Sequence, residues 1–167
     1  MMNENILGKL FEHNNWANRR IIEICSALTD EQLDTEPQTA TKGSIRRTLV
    51  HLVSSQLSYL RTMTLPLEAR PDSITVAFAD LQESANSTGE RLLALSRNES
   101  SKFPQTQLQT KDGYLVEAWV LMVQIINHAS EHREQICSML SSLGITPPDL
   151  DGWSYGGATN ALIPMGK

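Results

Sequence analysis

Apolar residues recur along the chain at alternating intervals of three and four, which places them on one face of an α-helix. The first predicted helix has such a face, formed by Ile6, Leu10, His13, Ala17, Ile21, Ile24 and Leu28. Only His13 interrupts its apolar character. Directly after this helix, Thr29 and Gln32 match a capping box, which predicts one further short helical turn.

Two more helices are predicted in the middle of the chain. One follows the loop 39–43, has Ser44 as its N-cap and runs to about Met63. Its apolar face consists of Ile45, Leu49, Leu52, Tyr59 and Met63. The other covers about residues 74–97, where only Thr88 is polar in the inward row. That row consists of Phe78, Leu81, Ala85, Thr88, Leu92 and Leu95.

The last third of the chain has a different pattern. Residues alternate between Phe103 and Val116 around Asp112-Gly113, a pair suited to a tight turn, so we predict a two-stranded hairpin. A long fourth helix is predicted over about 117–143, because Gly144 and two prolines soon after it typically end a helix. Residues from about 144 to the end are rich in glycine and proline and are expected to form an irregular tail.

Four amphipathic helices must bury their apolar faces against one another, so we predict an all-α four-helix bundle. A chain of 167 residues is a usual length for one domain. With 40% apolar residues, it has enough apolar surface for a packed core. We therefore expect residues 1–167 to form a single bundle domain.

Composition excludes several classes of function. The net charge of −5 and the absence of any basic run longer than Arg46-Arg47 argue against binding to nucleic acid or to an anionic membrane. The longest apolar run, residues 118–123, is too short to span a bilayer. The N-terminal residues do not resemble a secretory signal, so we expect a cytoplasmic protein. Cys25 and Cys137 are expected to be small buried apolar residues rather than a redox pair.

Histidines provide the clearest chemical signal. His128 and His132 lie four residues apart on the fourth predicted helix, so both imidazoles can face one cation. His51 is the natural third ligand of a zinc-type site. It lies off the apolar face of its helix, on a line with Ser44, Thr48, Ser55 and Ser58. His13 faces the core and can ligate the same ion, hold a ligand or substrate, or form a hydrogen bond across the bundle.

Residues 128–132 also match the H-x-x-E-H pattern of inverted zinc peptidases. Those enzymes need a glutamate further along the chain as a ligand, and no glutamate follows Glu134. We therefore reject the peptidase interpretation. Glu131, on a different face from the histidines, is a weak candidate for a general base. Helical histidines are often held by hydrogen bonds alone, so a metal-free structural bundle remains an alternative.

Three motifs carry a family resemblance. They are Asn14-Asn15-Trp16-Ala17-Asn18 with Arg20, Gly43-Ser44-Ile45 leading to Leu49-Val50-His51-Leu52, and Asn127-His128 through Glu131-His132-Arg133-Glu134-Gln135-Ile136. Together with the helix exit at 143–151, they resemble the DinB-like bundle proteins, which include the YfiT-type metal-dependent hydrolases. The resemblance covers nearly the whole chain.

This resemblance implies a four-helix bundle in up-down-down-up order, commonly a homodimer. It also implies one divalent metal ion, with zinc and nickel as the first candidates, held by three histidines that match His51, His128 and His132. Many relatives carry tyrosine where this chain has His13, which leaves open whether His13 is a fourth protein ligand of the ion. The wider superfamily includes bacillithiol S-transferases and a mycothiol-dependent maleylpyruvate isomerase.

The leading hypothesis is a metal-dependent enzyme that transfers a low-molecular-weight thiol to a small electrophile, with His13 orienting thiol or substrate. The alternatives are a metal-dependent hydrolase, a non-catalytic metal or small-molecule binding protein whose site is closed by His13, and the structural bundle. Arg133 interrupts the apolar row of the fourth helix and is expected to pair with a carboxylate such as Glu12 or Asp149. Trp153 and Tyr155 are expected to pack the tail against the bundle or a partner.

Overall fold

A computed structural model describes residues 5–37, 43–97 and 107–165. Its architecture is all-α, as predicted, and within the described residues four helices are long. These are α1 (Ile6–Cys25), α3 (Ile45–Thr64), α4 (Leu81–Ser96) and α5 (Ala118–Ser142), with the shorter α2 (Asp30–Asp34) and α6 (Gly152–Ala158). Helices α1 and α3 each pack against both α4 and α5. Their apolar faces therefore share one interior, whereas the up-down-down-up order stays a prediction.

Side chains at the helix starts satisfy backbone amides that have no partner within the helix. The predicted capping box is confirmed, because Thr29 Oγ1 accepts a bond from the Gln32 amide and Gln32 Oε1 accepts one from the Thr29 amide. The predicted N-cap Ser44 accepts a bond from the Arg47 amide at 3.3 Å. These sequence signals therefore place the starts of α2 and α3 correctly.

The core consists of two apolar clusters at different levels of the bundle. One surrounds Ile21, Leu49 and Ile136, and the other surrounds Phe11 and Leu60. Residues between these levels on each long helix are buried but polar: Asn14 and Asn18 of α1, Gln56 of α3, Thr88 of α4, and His132 and Arg133 of α5. We call this set the polar layer. It lies at the same level as the histidine motif of α5.

Close packing of α1 on α4 depends on Gly89. A Cβ atom built on Gly89 would lie 2.7 Å from Oδ1 of the buried Asn15, a distance that real contacts do not reach. The glycine therefore lets the two helices approach, which offsets the cost of about 1 kcal/mol that glycine carries inside a helix.

The helix predicted over 74–97 is shorter than expected. Helix α4 begins at Leu81, preceded by a 3-10 turn at Phe78–Asp80, and residues 71–77 before that turn are not helical. The backbone amide of Val76 donates to Ser54 Oγ at 2.9 Å, and the guanidinium of Arg46 lies 4.5 Å from the Phe78 ring centroid. These contacts with α3 fix the segment outside the helix, and local periodicity does not reveal them.

The predicted hairpin is confirmed between α4 and α5. Strand β1 (Gln107–Gln109) pairs antiparallel with β2 (Leu115–Glu117), and Leu108 lies opposite Val116. Gly113 has φ of +91°, which is the conformation that the Asp-Gly pair predicts for the turn. The expected start of the hairpin at Phe103, and most of the loop predicted over 39–43, lie outside the described residues.

The fourth helix ends as predicted, but the tail after it is not irregular throughout. Gly144 takes φ of +73° directly after the cap of α5, as a helix-ending glycine does. Eight residues later α6 begins, and its N-cap Asp151 accepts a bond from the Ser154 amide at 2.7 Å. Its three glycines hid this helix, because glycine is a poor helix former.

None of the helices within the described residues is long and apolar enough to cross a bilayer. The two cysteines lie in the helical bundle as free thiols, with Cys25 fully buried and Cys137 half-buried. Desolvation is the main cause that raises the pKa of Cys25 to about 12 and that of Cys137 to about 11. Both thiols are therefore protonated near neutral pH and are poor nucleophiles.

Candidate metal centre

Three imidazoles from two helices converge at one point between α3 and α5. His51 Nε2 and His132 Nε2 each lie 3.1 Å from His128 Nε2. One ligand atom of each residue lies within 4.8 Å of the others, and no carboxylate or thiolate belongs to this group in the described part of the chain. The structure thus brings together the three histidines singled out in the sequence, at one face of the polar layer.

The spacing of the three nitrogens fits a shared divalent cation. Imidazole nitrogens bind zinc at about 2.0–2.1 Å, so two such nitrogens of a tetrahedral ion lie about 3.3 Å apart. The observed separations of 3.1 Å are close to that value.

Hydrogen bonding among the three nitrogens is a poorer explanation of their convergence. An imidazole nitrogen carries either one hydrogen or one lone pair, so His128 Nε2 can satisfy only one of its two nitrogen neighbours. A cation accepts lone pairs from all three rings at once.

Gln135 orients one of these rings. Its Oε1 lies 2.8 Å from Nδ1 of His132, one turn earlier on α5. Because an amide oxygen only accepts, His132 carries its hydrogen on Nδ1 and presents the lone pair of Nε2 to the cluster. A hydrogen bond to the second nitrogen is a usual feature of metal-binding histidines. This role was not predicted from the sequence, although the i, i+3 spacing of His132 and Gln135 indicates such a contact.

Tyr59 forms an aromatic wall beside the cluster. Its ring meets that of His128 edge to face, with 5.8 Å between centroids, and Gln124 Nε2 donates to its hydroxyl at 3.5 Å. From the sequence, Tyr59 was predicted only to lie on the apolar face of its helix. Its position four residues after Ser55, on the polar line of His51, is the signal that points to the site.

His13 lies in a different cluster, between α1 and α6. Its Nε2 is 2.7 Å from the carbonyl oxygen of Leu150, so this nitrogen donates and has no lone pair to offer a cation. The ring packs against Trp16 and Tyr155, with centroid distances of 6.0 and 5.5 Å. The structure therefore does not bring His13 to the three histidines that converge.

Arg133 is buried and forms no ion pair with an acidic side chain among the described residues, contrary to the expected pairing with Glu12 or Asp149. Its guanidinium donates to Asn14 Oδ1 at 2.8 Å, to Asn18 Oδ1 at 2.6 Å and to Ser130 Oγ at 3.0 Å. Glu12 instead pairs with Lys9 and Arg97. Neutral amide oxygens replace the expected carboxylate, and desolvation of the buried charge lowers the pKa of Arg133 to about 10.

The polar layer continues from Arg133 across the bundle. Asn18 Nδ2 donates to Gln56 Oε1 at 2.9 Å, and Gln56 Nε2 donates to Thr88 Oγ1 at 2.6 Å. These bonds connect all four long helices at the level of the candidate metal centre. Glu131, by contrast, is exposed and belongs neither to the layer nor to the histidine cluster.

Comparison with known proteins gives a family and a fold. The model of the DinB family matches residues 1–162. Two crystal structures share the fold. One is a protein assigned to the DinB family from Exiguobacterium sibiricum, with a TM-score of 0.66, 20% identity, and coverage of 90% of this chain and 100% of that one. The other is a DinB-like protein from Bacillus cereus, with a TM-score of 0.62, 18% identity, and coverage of 86% and 94%. No curated protein matched.

Proposed function

Because this chain belongs to the DinB family and brings three histidines to one point, we propose that it is a metal-dependent enzyme that transfers a low-molecular-weight thiol to a small electrophile. The supporting observation is a cluster of three imidazole ligands that no carboxylate joins within the described part of the chain. Such ligands leave the full charge of a divalent cation uncompensated, which favours an anionic sulfur ligand. Zinc and nickel both accept imidazole ligands and are the first candidates.

Each residue of the site has a separate task in this proposal. His51, His128 and His132 would hold the ion, and Gln135 fixes the ring of His132. A bound divalent ion supplies a Lewis acid that favours the thiolate form of a thiol near neutral pH. Tyr59 shields one side of the cluster from water by its ring contact with His128.

The position of His13 supports an enzyme over a closed binding site. Structural zinc sites have four protein ligands, whereas catalytic sites have three and keep one position for solvent or substrate. Since His13 donates to the Leu150 carbonyl, it does not serve as the fourth ligand in this conformation. The three-histidine set is therefore compatible with access for an exogenous ligand.

A test of the proposal is thiol conjugation to a chromogenic electrophile, measured before and after removal of metal with a chelator. We expect turnover above the uncatalysed rate, its loss on metal removal, and its recovery when zinc or nickel is added back. Turnover that is indifferent to metal would refute the proposal. His128→Ala should abolish both metal content and turnover, whereas His13→Ala serves as the matched control and should retain the metal.

Two alternatives correspond to other outcomes of the same experiment. A metal-dependent hydrolase would cleave an activated ester without thiol, because a three-histidine site can also activate water. A non-catalytic binding protein would take up the metal and turn over neither substrate.

A further inference from the structure

A cavity lined by residues of α3, α5 and the hairpin lies beside the candidate metal centre. It has a volume of about 250 Å³, and Tyr59 and Leu121 form part of its wall. Tyr59 also touches the ring of His128, so one side chain borders both the cavity and the histidine cluster. We call this cavity the Tyr59 pocket. Its volume is near the lower end of the usual range for small-molecule sites.

The side chains that line the Tyr59 pocket carry a net charge of about +1. It contains Arg61, Arg70 and Lys111 against Asp72 and Asp112. Lys111 is already engaged, because its Nζ lies 2.7 Å from Asp72 Oδ1. The surplus positive charge therefore belongs to the two arginines.

Both arginines are half-buried and keep their charge available. The guanidinium of Arg70 donates to two neutral groups, the carbonyl of Leu65 at 2.9 Å and the carbonyl of Gln109. These bonds hold it against the hairpin without compensating its charge. Among the described residues, no acidic group forms an ion pair with Arg61. A guanidinium pair of this kind suits a carboxylate, which arginine binds through two parallel hydrogen bonds.

The pocket is displaced from the three histidines in the direction of the bundle axis. On α3, Ser58 of the pocket follows His51 by seven residues, and on α5 Leu121 precedes His128 by seven. Seven residues of helix span about 10.5 Å. Along both helices, the backbone of Ser58 and Leu121 therefore lies about 10 Å from the backbone that carries the histidines. Arg61 follows His51 by ten residues, so its backbone lies about 15 Å further along α3.

We propose that the thiol used by this protein carries a carboxylate about 10–15 Å from its sulfur, and that this carboxylate binds in the Tyr59 pocket at Arg61 and Arg70. This inference rests on the proposed function, because it requires the sulfur to lie at the histidine cluster. A monoanion balances the single surplus charge of the pocket, whereas a dianionic phosphate would leave negative charge uncompensated. Tyr59 and Leu121 provide apolar surface for the chain that joins the two ends.

The test uses ω-mercaptocarboxylates of increasing length, from mercaptoacetate to mercaptoundecanoate, each compared with the neutral mercaptoalcohol of the same length. Binding to the metal-loaded protein is measured by calorimetry, and cobalt substitution reports sulfur coordination by its absorption band. We expect the carboxylate to improve affinity about fivefold over the alcohol once the chain reaches the pocket. Short carboxylates should show no such advantage.

Substitutions of pocket residues test whether the higher affinity for carboxylates arises at the two arginines. Arg61→Gln should remove most of the carboxylate advantage while leaving metal content and mercaptoalcohol binding unchanged. Arg70→Lys, which keeps the charge but loses the paired donors, should reduce it in part. Arg91→Gln is the matched control, since Arg91 is an exposed residue of α4 outside the pocket.

The outcomes separate the two proposals. Equal binding of charged and neutral thiols at every length, or a carboxylate advantage that survives Arg61→Gln, would overturn the role of the pocket and leave the proposed function standing. A metal-loaded protein that binds no thiol of either series would overturn the proposed function and this inference together.

Discussion

At the scale of single residues, Gln135 is the side chain that acts most directly on the ligand set. Without its hydrogen bond, the ring of His132 is free to rotate or to move its hydrogen to Nε2. We expect Gln135→Ala to weaken metal affinity by about tenfold or more, as loss of such outer partners usually does. Competition with a chromophoric chelator measures the affinity.

The control for this change is Gln124→Ala, the same substitution on the same helix at an exposed residue whose amide donates to the Tyr59 hydroxyl. Its metal affinity should equal that of the wild type. Equal affinities for both variants would show that Gln135 does not orient His132.

The buried guanidinium of Arg133 makes its amide partners important for stability. Asn18→Ala removes the acceptor at 2.6 Å and also deprives Gln56 of a donor. Since a buried charge that loses a partner is costly, we expect the free energy of unfolding to fall by about 2–4 kcal/mol. Denaturant titration measures this loss.

Asn86→Ala, at an exposed position of α4, is the matched control and should change stability little. If Asn18→Ala were as mild as this control, the polar layer would not stabilise the bundle.

At this scale the sequence predicted the histidines better than their partners. An i, i+4 pair on one helix needs only local geometry to be recognised, and His51 stood out because its helix face is otherwise small and polar. The partner of Arg133 depends on which helix lies opposite, and amide oxygens of α1 occupy that place. The carbonyl that binds His13 comes from Leu150, which is 137 residues away in the chain.

At the scale of elements, α6 is held on α1 by few contacts. The hydroxyl of Tyr155 donates to Glu12 Oε2 at 3.1 Å, and its ring packs against His13 and Trp16. We expect Tyr155→Phe to keep the ring contacts but lose the hydrogen bond, so that α6 amides exchange about fivefold faster. Hydrogen exchange followed by NMR measures this, and metal content should not change.

The same attachment has a defined pH dependence. Desolvation alone would raise the pKa of Glu12, but hydrogen bonds from Lys9, Arg97 and Tyr155 outweigh it, and the pKa lies below its ordinary value of 4.5. A lowered pKa means that the stabilisation is present above pH 4.5 and is lost as the pH falls through the folded value. The difference in α6 protection between wild type and Tyr155→Phe should therefore be constant near neutral pH and vanish in acid.

The helices and strands that could be predicted are those whose bounds depend on signals within a few residues of the sequence. Caps and the Asp-Gly turn gave the starts of α2 and α3 and the hairpin, because those signals act within a few residues. The predicted start of α4 was wrong by seven residues, since Ser54 accepts a bond from the Val76 amide and holds that segment outside the helix. Helix α6 was missed because its glycines disfavour a helix, while Asp151 and the packing of Tyr155 support it.

At the scale of the whole molecule, the polar layer divides the core into two apolar clusters. Periodicity predicted that the four long helices would share one interior, but the layer only emerges when they are packed together. It connects α1, α3, α4 and α5 by hydrogen bonds at the level where α3 and α5 bring their histidines together. The homodimer and the cytoplasmic location stay predictions.

We propose that His51, His128 and His132 together hold one divalent ion, and elemental analysis of the purified protein tests this claim. Tag-free wild-type protein, purified without chelator or added metal, is compared with the variant in which all three histidines are alanine. We expect close to one ion per chain in the wild type and almost none in the variant. A wild type that is empty and takes up neither zinc nor nickel on titration, or a variant that retains the ion, would contradict the claim.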